Sequence, residues 1–149
     1  MKRIVAALDF SDSTPGVLET ASGLAKAYGA ELHLLHVIEP EPTYTAYGFT
    51  PDEFPAIHTF QEEARKRAKL KLDELAAGVP EGLLAGAELG EGSPQQALVD
   101  FIKEKDIDLV VLGSHGHGVV ASLLIGSVAE GMVRKALIPT LVVPAPGKE

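Results

Sequence analysis

Short runs of Val, Ile, Leu and Ala alternate along this chain with segments whose apolar residues recur every three or four positions, and that alternation restricts the fold more than any other feature. The runs span Arg3–Leu8, Glu31–Ile38, Leu83–Leu89, Asp108–Leu112 and Thr140–Val143. A strand that is apolar almost without interruption is covered on both faces, which is the condition of a parallel sheet lying between helices. Strands that alternate with helices are joined by crossovers. The expected fold is therefore α/β, a single doubly wound open sheet of five parallel strands with helices on both faces. The expected strand order is 3-2-1-4-5, with strands one and four flanking the switch in order. In such sheets ligands lie beyond the carboxyl ends of the strands at that switch. With 149 residues, 46% of them hydrophobic, the chain can fill one core, and residues 1–149 read as a single domain.

The helices are legible from spacing. Val17, Leu18, Ala21, Leu24, Ala25 and Tyr28 make one face of the first, with Thr14-Pro15 as N-cap and first-turn proline and Gly29 as the stop. Residues 39–55, EPEPTYTAYGFTPDEFP, carry four prolines and no periodicity, and read as a long loop over the sheet edge of the kind that often serves as a lid. A charged helix follows over 56–77, with Ile57, Phe60, Ala64, Ala68, Leu72 and Leu75 inward. Its basic stretch Arg65–Lys71 sits among Glu62, Glu63, Asp73 and Glu74, and reads as a solvated face rather than a nucleic-acid surface. Ser93-Pro-Gln-Gln96 is a capping box opening a helix with Ala97, Leu98, Phe101 and Ile102 inward, and a last helix over 128–137 is broken by Pro139.

Gly113, Gly116 and Gly126-Ser127 form a spaced glycine frame directly after the run that ends at Leu112. A strand that ends in glycines and leads to a helix presents bare backbone N–H groups at the carboxyl edge of the sheet, where the helix dipole favours an anion. Glycine at 113 and 116 permits positive φ and close backbone approach, and Gly118 adds to it, so the frame reads as a phosphate cradle. A plain strand-to-helix turn is the alternative for glycines taken alone. Ser127-Val-Ala-Glu130 is itself a capping-box pattern. Ser127 therefore either caps the last helix or, with the amides of Ser127, Val128 and Ala129, receives phosphate oxygens, and the preceding Gly126 favours the second role. Asp9, Val37 and Gly113 each close a strand and so point into one crevice. Asp9 either caps the following turn or offers a carboxylate to a ribose hydroxyl or to a divalent cation beside the phosphates.

The formal net charge of −8 argues against a nucleic-acid or anionic-membrane surface, and leaves a phosphate site dependent on backbone dipoles. The absence of cysteine excludes disulfides, thiol catalysis and thiolate metal sites. Ile4–Leu8 is too short an apolar stretch for a signal peptide, and no run reaches the ~18 apolar residues of a membrane span, so a cytoplasmic protein without membrane insertion is expected. There is no Gly-Lys-Ser/Thr phosphate loop, no Gly-x-Ser-x-Gly elbow and no lysine within the glycine frame. No catalytic residue is assigned, and any hydrolysis of a bound nucleotide is expected to be slow. His115 and His117 could pair on a metal, but His33 and His36 lie three apart on a strand and face opposite ways, leaving no third ligand, so no metal site is assigned. His33, His36 and His58 read as structural or surface residues.

The spacing Gly-x2-Gly-x9-Gly-Ser fits from Gly113 to Ser127 without insertion or deletion. Together with Asp9-Phe-Ser11, His36-Val37 and the terminal GSVAEGMVRKALIPTLVVP, it resembles the universal stress protein family over nearly the whole chain. The resemblance implies the adenine nucleotide alpha-hydrolase-like fold, the same strand order, and the ATP-binding branch that carries this glycine motif. It implies a site built from Ala7, Leu8, Asp9, Val37, Gly113, Ser114, His115, Gly116, His117, Gly118, Val119, Gly126, Ser127, Val128 and Ala129. There Val37 would read the adenine edge with its backbone N–H and C=O, Ala7 and Leu8 would line the pocket, and Ser11 would support the turn. The expected ligand is ATP, with ADP or AMP as alternatives and Mg²⁺ beside the phosphates. Family members often have arginine or another residue at the second of the positions held here by His115 and His117. A neutral imidazole at 117 clamps a triphosphate less firmly than a guanidinium, so binding is expected to weaken above about pH 6.5 or to favour a shorter phosphate chain. The implied function is a nucleotide-dependent regulator of the stress response, in which ATP orders residues 113–128 and 39–55 and alters a surface offered to a protein partner. A homodimer through Thr140–Val143 is also implied, and pairing of dimers into tetramers stays open. The competing readings are a slow adenine-nucleotide hydrolase and a nucleotide-free dimeric interaction module, while a flavodoxin-like FMN protein lacks its mononucleotide loop.

Overall fold

A computed structural model describes residues 1–39, 55–114 and 126–146. The strands are β1 (Arg3–Ala7), β2 (Glu31–Ile38), β3 (Leu84–Glu91), β4 (Leu109–Gly113) and β5 (Thr140–Val143). The helices are α1 (Thr14–Tyr28), α2 (Pro55–Ala77), α3 (Pro94–Lys105) and α4 (Ser127–Lys135). Every pairing is parallel, as the alternation of runs and helices leads one to expect, and the order is the expected β3-β2-β1-β4-β5. The third strand runs two residues beyond Leu89, and the last helix starts at Ser127 and stops at Lys135.

β1 is the middle of the sheet, and Ile4, Val5 and Ala6 are wholly buried. The period of two sends alternate residues to opposite faces. Ile4, Ala6, Leu32, Leu34, Leu109 and Val111 pack with Val17, Ala21 and Ala25 of α1 and Leu72 of α2. On the other face Val5, Leu35, Val110 and Leu112 pack with Leu98, Phe101 and Ile102 of α3 and Ala129 and Met132 of α4. Each fully buried Leu here, such as Leu72 or Leu98, contributes about 1.5–3 kcal/mol of hydrophobic stabilisation.

Helix ends depart from the sequence reading where a nearby backbone group decides them. Ser13, not Thr14, is the N-cap of α1, because the Ser11 carbonyl already takes the Thr14 N–H at 3.0 Å and draws Thr14 into the first turn. Gly29 ends the helix as expected, at φ 65, a left-handed conformation open to glycine without strain. Tyr28, in the last turn, is 59% exposed rather than part of the apolar face, and Phe60 of α2 is 45% exposed. The side chain of Ile57 lies outside the described residues. At α3, Ser93 Oγ accepts from the Gln96 N–H at 3.5 Å, but the Gln96 side chain donates to Asp100 Oδ1 at 2.9 Å instead of returning to Ser93. Only half of the capping box forms.

The two sheet edges differ. Along β3, Glu91 pairs with Arg65 and Glu88 with Lys105, at 3.5 Å for the latter. β5 is four residues long, with Leu141 exposed, and Val133 and Leu137 are exposed on and just after α4. No helix of the described residues is long and apolar enough to cross a membrane.

The start of β1 is tied to β4 by Asp108. Its Oδ2 accepts from the backbone N–H of Lys2 at 2.7 Å and of Arg3 at 2.9 Å, and its own N–H donates to the Arg3 carbonyl at 2.8 Å. The hydrogen bonds from Lys2, then Arg3, hold the carboxyl below its ordinary range. A lowered pKa means that the ionised group stabilises the fold above about pH 4, the unfolded value, and that this contribution disappears as pH falls through the folded value. Asp108→Asn should therefore melt below the parent protein at pH 7, with the gap closing as pH falls below about 4 and through the lowered folded value. Thermal melts across pH check this, and a pH-independent gap would remove the charge from the explanation.

Candidate functional site

β1 stops at Ala7 while β2 continues to Ile38, and this difference in length opens the crevice. The Leu8 N–H still donates to the Leu35 carbonyl at 2.8 Å. Phe10 then takes φ 62, a left-handed conformation unusual for a residue with a side chain, and the backbone turns away toward α1. Across the switch, the Ser114 N–H bonds the Val143 carbonyl at 2.8 Å, and the Ser114 carbonyl accepts from the Gly126 N–H at 2.6 Å. The amino end of α4 is thereby pinned to the carboxyl end of β4. Between the diverging β1 and β4 lies a cavity of about 420 Å³, whose wall includes Ala7, Leu8, Asp9, Val37, Gly113, Gly126, Ser127, Val128 and Ala129. That is the size of a small-molecule site.

The end of α4 decides what the cavity can hold. Gly126 is its N-cap, in extended backbone at φ −61 and ψ 153, and Ser127 is the first helical residue. Ser127 consequently does not cap the helix, and Glu130 turns to Arg134 at 3.0 Å instead of closing a capping box. The N–H groups of Ser127, Val128 and Ala129 have no carbonyl one turn earlier in the helix, and all three residues border the cavity. First-turn amides without a partner among the described residues, at the positive end of a helix dipole, are the arrangement that favours an anion. The glycines act differently from expectation. Neither Gly113 nor Gly126 has positive φ; Gly113 is the last residue of β4, paired with Val143, and borders the cavity as a wall without a side chain. Gly116 lies outside the described residues, as do His115, His117, Gly118 and Val119 and residues 40–54 of the proline-rich segment.

On the β1 side, Asp9 is exposed and borders the cavity, while its Oδ1 accepts the Ser11 N–H at 2.9 Å. The turn-capping reading of Asp9 is thus realised, and the carboxylate keeps lone pairs beyond the one that the turn uses. Ser11 supports the turn, its Oγ accepting the Ser13 N–H at 3.3 Å. Glu39 is a second carboxylate in the wall, and among the described lining residues there is no Lys or Arg. Charge for a bound anion must come from the backbone here. Sequence reasoning missed several wall residues: His36, Glu39, Ala64 and Ala68 of α2, and Pro94 and Leu98 of α3. The signal was present in part, because Ala64 and Ala68 stand one turn apart and are the smallest residues on the inner face of α2, where they border the cavity. His33 packs edge-on against Phe101, with ring centroids 5.9 Å apart, on the opposite side of the strand from His36. Among the described residues no group of three or more His, Asp or Glu could hold a metal ion.

A sequence model of the universal stress protein family matches residues 1–144. The chain belongs to that family. A universal stress protein of Methanocaldococcus jannaschii is 31% identical over 150 residues, covering 99% of this chain and 85% of the relative. One of Thermus aquaticus is 32% identical over 148 residues, covering 95% and 98%. In fold, the chain is similar to the hypothetical protein MJ0577, with a TM-score of 0.82 at 23% identity over 99% of this chain and 98% of that one. The fold is that of the adenine nucleotide alpha-hydrolase-like proteins. It is also similar to a universal stress protein solved in complex with cAMP, with a TM-score of 0.58 at 30% identity over 95% of both chains.

The first turn of α4 separates a capping serine from a serine offered to the cavity. Ser127→Ala should change stability by less than about 0.5 kcal/mol, as for a substitution that removes no cap. Ser93→Ala, which removes one, should cost about 1 kcal/mol. Denaturant melts of the two variants check the contrast, and equal losses would return Ser127 to a capping role.

Proposed function

We propose that this family member is a cytoplasmic, nucleotide-dependent regulator of the stress response, and that its cavity binds an adenine nucleotide, ATP first and ADP or AMP as alternatives. The observation that carries the reading is the set of first-turn amides at Ser127, Val128 and Ala129, which have no backbone partner among the described residues and border a cavity at the switch between β1 and β4 whose other wall holds Asp9 and Val37. Phosphate oxygens would accept from those amides and from the Ser127 hydroxyl, the ribose hydroxyls would donate to Asp9, and the base would lie along Val37 against Ala7 and Leu8. Ser114 and residues 115–119 complete the phosphate side of this proposal. The relative with bound cAMP supports an adenine ligand, since it shares the fold at 30% identity.

The donor set suits Mg²⁺ beside the phosphates. Asp9 and Glu39 supply hard oxygen ligands at the cavity wall, and Mg²⁺ is commonly held by one or two carboxylates plus phosphate oxygens. The cation would screen the phosphates from those same carboxylates, in a wall with no described Lys or Arg. Hydrolysis would be slow, because positioned base, lysine and arginine are the machinery of phosphoryl transfer and the described wall contains only Asp9, Glu39 and His36 as titratable groups. A homodimer through the exposed, apolar β5 would join two such sites, with nucleotide state altering a surface read by a protein partner.

Denaturing the purified protein and identifying the released nucleotide by chromatography and mass spectrometry tests the reading. Stoichiometric ATP is expected from the wild type and none from Gly113→Val, which adds a side chain to the cavity wall. Ser127→Ala should weaken ATP binding roughly tenfold, the loss of one hydrogen bond to a charged oxygen. Recovery of ADP or AMP, with metal-dependent turnover lost in Asp9→Ala, would favour the hydrolase. No released nucleotide and no thermal shift with ATP and Mg²⁺ would leave a dimeric interaction module.

A further inference from the structure

The ladder between β1 and β2 ends in an irregular way. Residues of a strand alternate in the side to which their N–H and C=O point. The Leu35 carbonyl takes the Leu8 N–H on the β1 side, and the Ile38 carbonyl takes the Gly92 N–H on the β3 side. Val37, two residues beyond Leu35 and one before Ile38, therefore presents both its N–H and its C=O toward β1. In a regular parallel ladder, with Ala7 opposite Leu35, the next bond would run from the Val37 N–H to the Leu8 carbonyl. Among the described residues that bond is not made. The Leu8 carbonyl lies instead 2.7 Å from His36 Nδ1. A carbonyl oxygen only accepts, so Nδ1 carries the proton and donates. The imidazole is held over this spot by the Phe10 ring, stacked on it at a centroid distance of 3.8 Å and an interplanar angle of 16°, and Phe10 is the residue at φ 62 that turns the chain away from β2.

We propose that His36 is a positioning residue, whose Nδ1–H occupies the Leu8 carbonyl in place of the Val37 amide and so leaves the Val37 N–H and C=O free as a donor–acceptor pair for the edge of the bound base. The inference rests on the adenine-nucleotide reading above and goes beyond it in naming the group that keeps the pair available. Adenine offers an acceptor at N1 beside a donor at the 6-amino group, the complement of one N–H and one C=O on a single residue. The His36 ring need not touch the ligand to do this. Its effect passes through Leu8 to Val37. The stacked Phe10 and the left-handed turn serve the same end, since they keep the Leu8 carbonyl within reach of the ring and stop β1 from pairing further along β2.

Two measurements test this. In the ligand-free protein, nitrogen-resolved NMR should find the Val37 amide exchanging rapidly with solvent, and in His36→Phe, which keeps the stack but loses the donor, exchange of that amide should slow at least about tenfold as it joins Leu8. Calorimetric titration with ATP should show His36→Phe binding about five- to tenfold more weakly than wild type, whereas 1-deaza-ATP, which lacks the N1 acceptor, should bind the two proteins alike. His36→Gln, which restores an N–H donor, should recover ATP affinity. A Val37 amide already protected in the wild type would overturn the proposal without reference to any variant. An equal loss of affinity for ATP and 1-deaza-ATP in His36→Phe would overturn it as well, by making His36 a general support of the cavity. If wild type binds no ATP, the nucleotide reading fails, and the exchange rates alone decide whether His36 frees the amide.

Discussion

The site depends on a strand that is held on both sides and ends early. β1 pairs with β2 and with β4, so its three wholly buried residues fix the relative height of the two halves of the sheet. Had β1 run as far as β2, its carbonyls would have consumed the amides of Val37 and filled the crevice. The chain instead leaves the sheet after Leu8 through a left-handed Phe10, a conformation that costs about 1–2 kcal/mol in a residue with a side chain. Stacking on His36 and packing against the core offset that cost.

An acidic protein whose described cavity wall has no Lys or Arg has to find positive potential there somewhere other than its side chains. In the described wall that source is the amino end of α4, fixed in place by two short backbone bonds at Ser114. Fixed dipoles of this kind need no reorganisation when a ligand arrives. Their register against β4 is set by Leu112 and Ala129 in the same packed cluster, so the binding geometry is inherited from the core.

The sheet was legible because its signal is collective. Each apolar run is covered on both faces, and parallel pairing follows from alternation with helices, which no single residue could disturb, while the order 3-2-1-4-5 is also what the family resemblance implies. The site residues on strand ends and at Gly126–Ala129 were legible because a strand end and a helix start can be located by pattern. What was hidden depends on individual backbone bonds. Nothing in the residue types at 13 and 14 says that the Ser11 carbonyl will take the Thr14 amide, and nothing in Asp9-Phe10-Ser11 announces φ 62 at Phe10. The expectation of positive φ fails at Gly113, which lies in extended backbone at the end of β4 and borders the cavity without a side chain. Ala64 and Ala68 were read as core, since a small residue facing a void and one facing a neighbour look alike in a sequence. His36 looked like a bland strand residue because its partner, the Leu8 carbonyl, is invisible until the strands are aligned.

The unequal edges of the sheet bear on how many copies can associate. β3 carries two ion pairs to neighbouring helices, and its charged rim disfavours strand addition, whereas β5 is short, apolar and bare. A sheet with one receptive edge can accept a single neighbour in that direction, and that neighbour, using the same edge, has no second one to offer. Any growth by edge pairing would therefore terminate with a two-fold axis rather than propagate into a fibre.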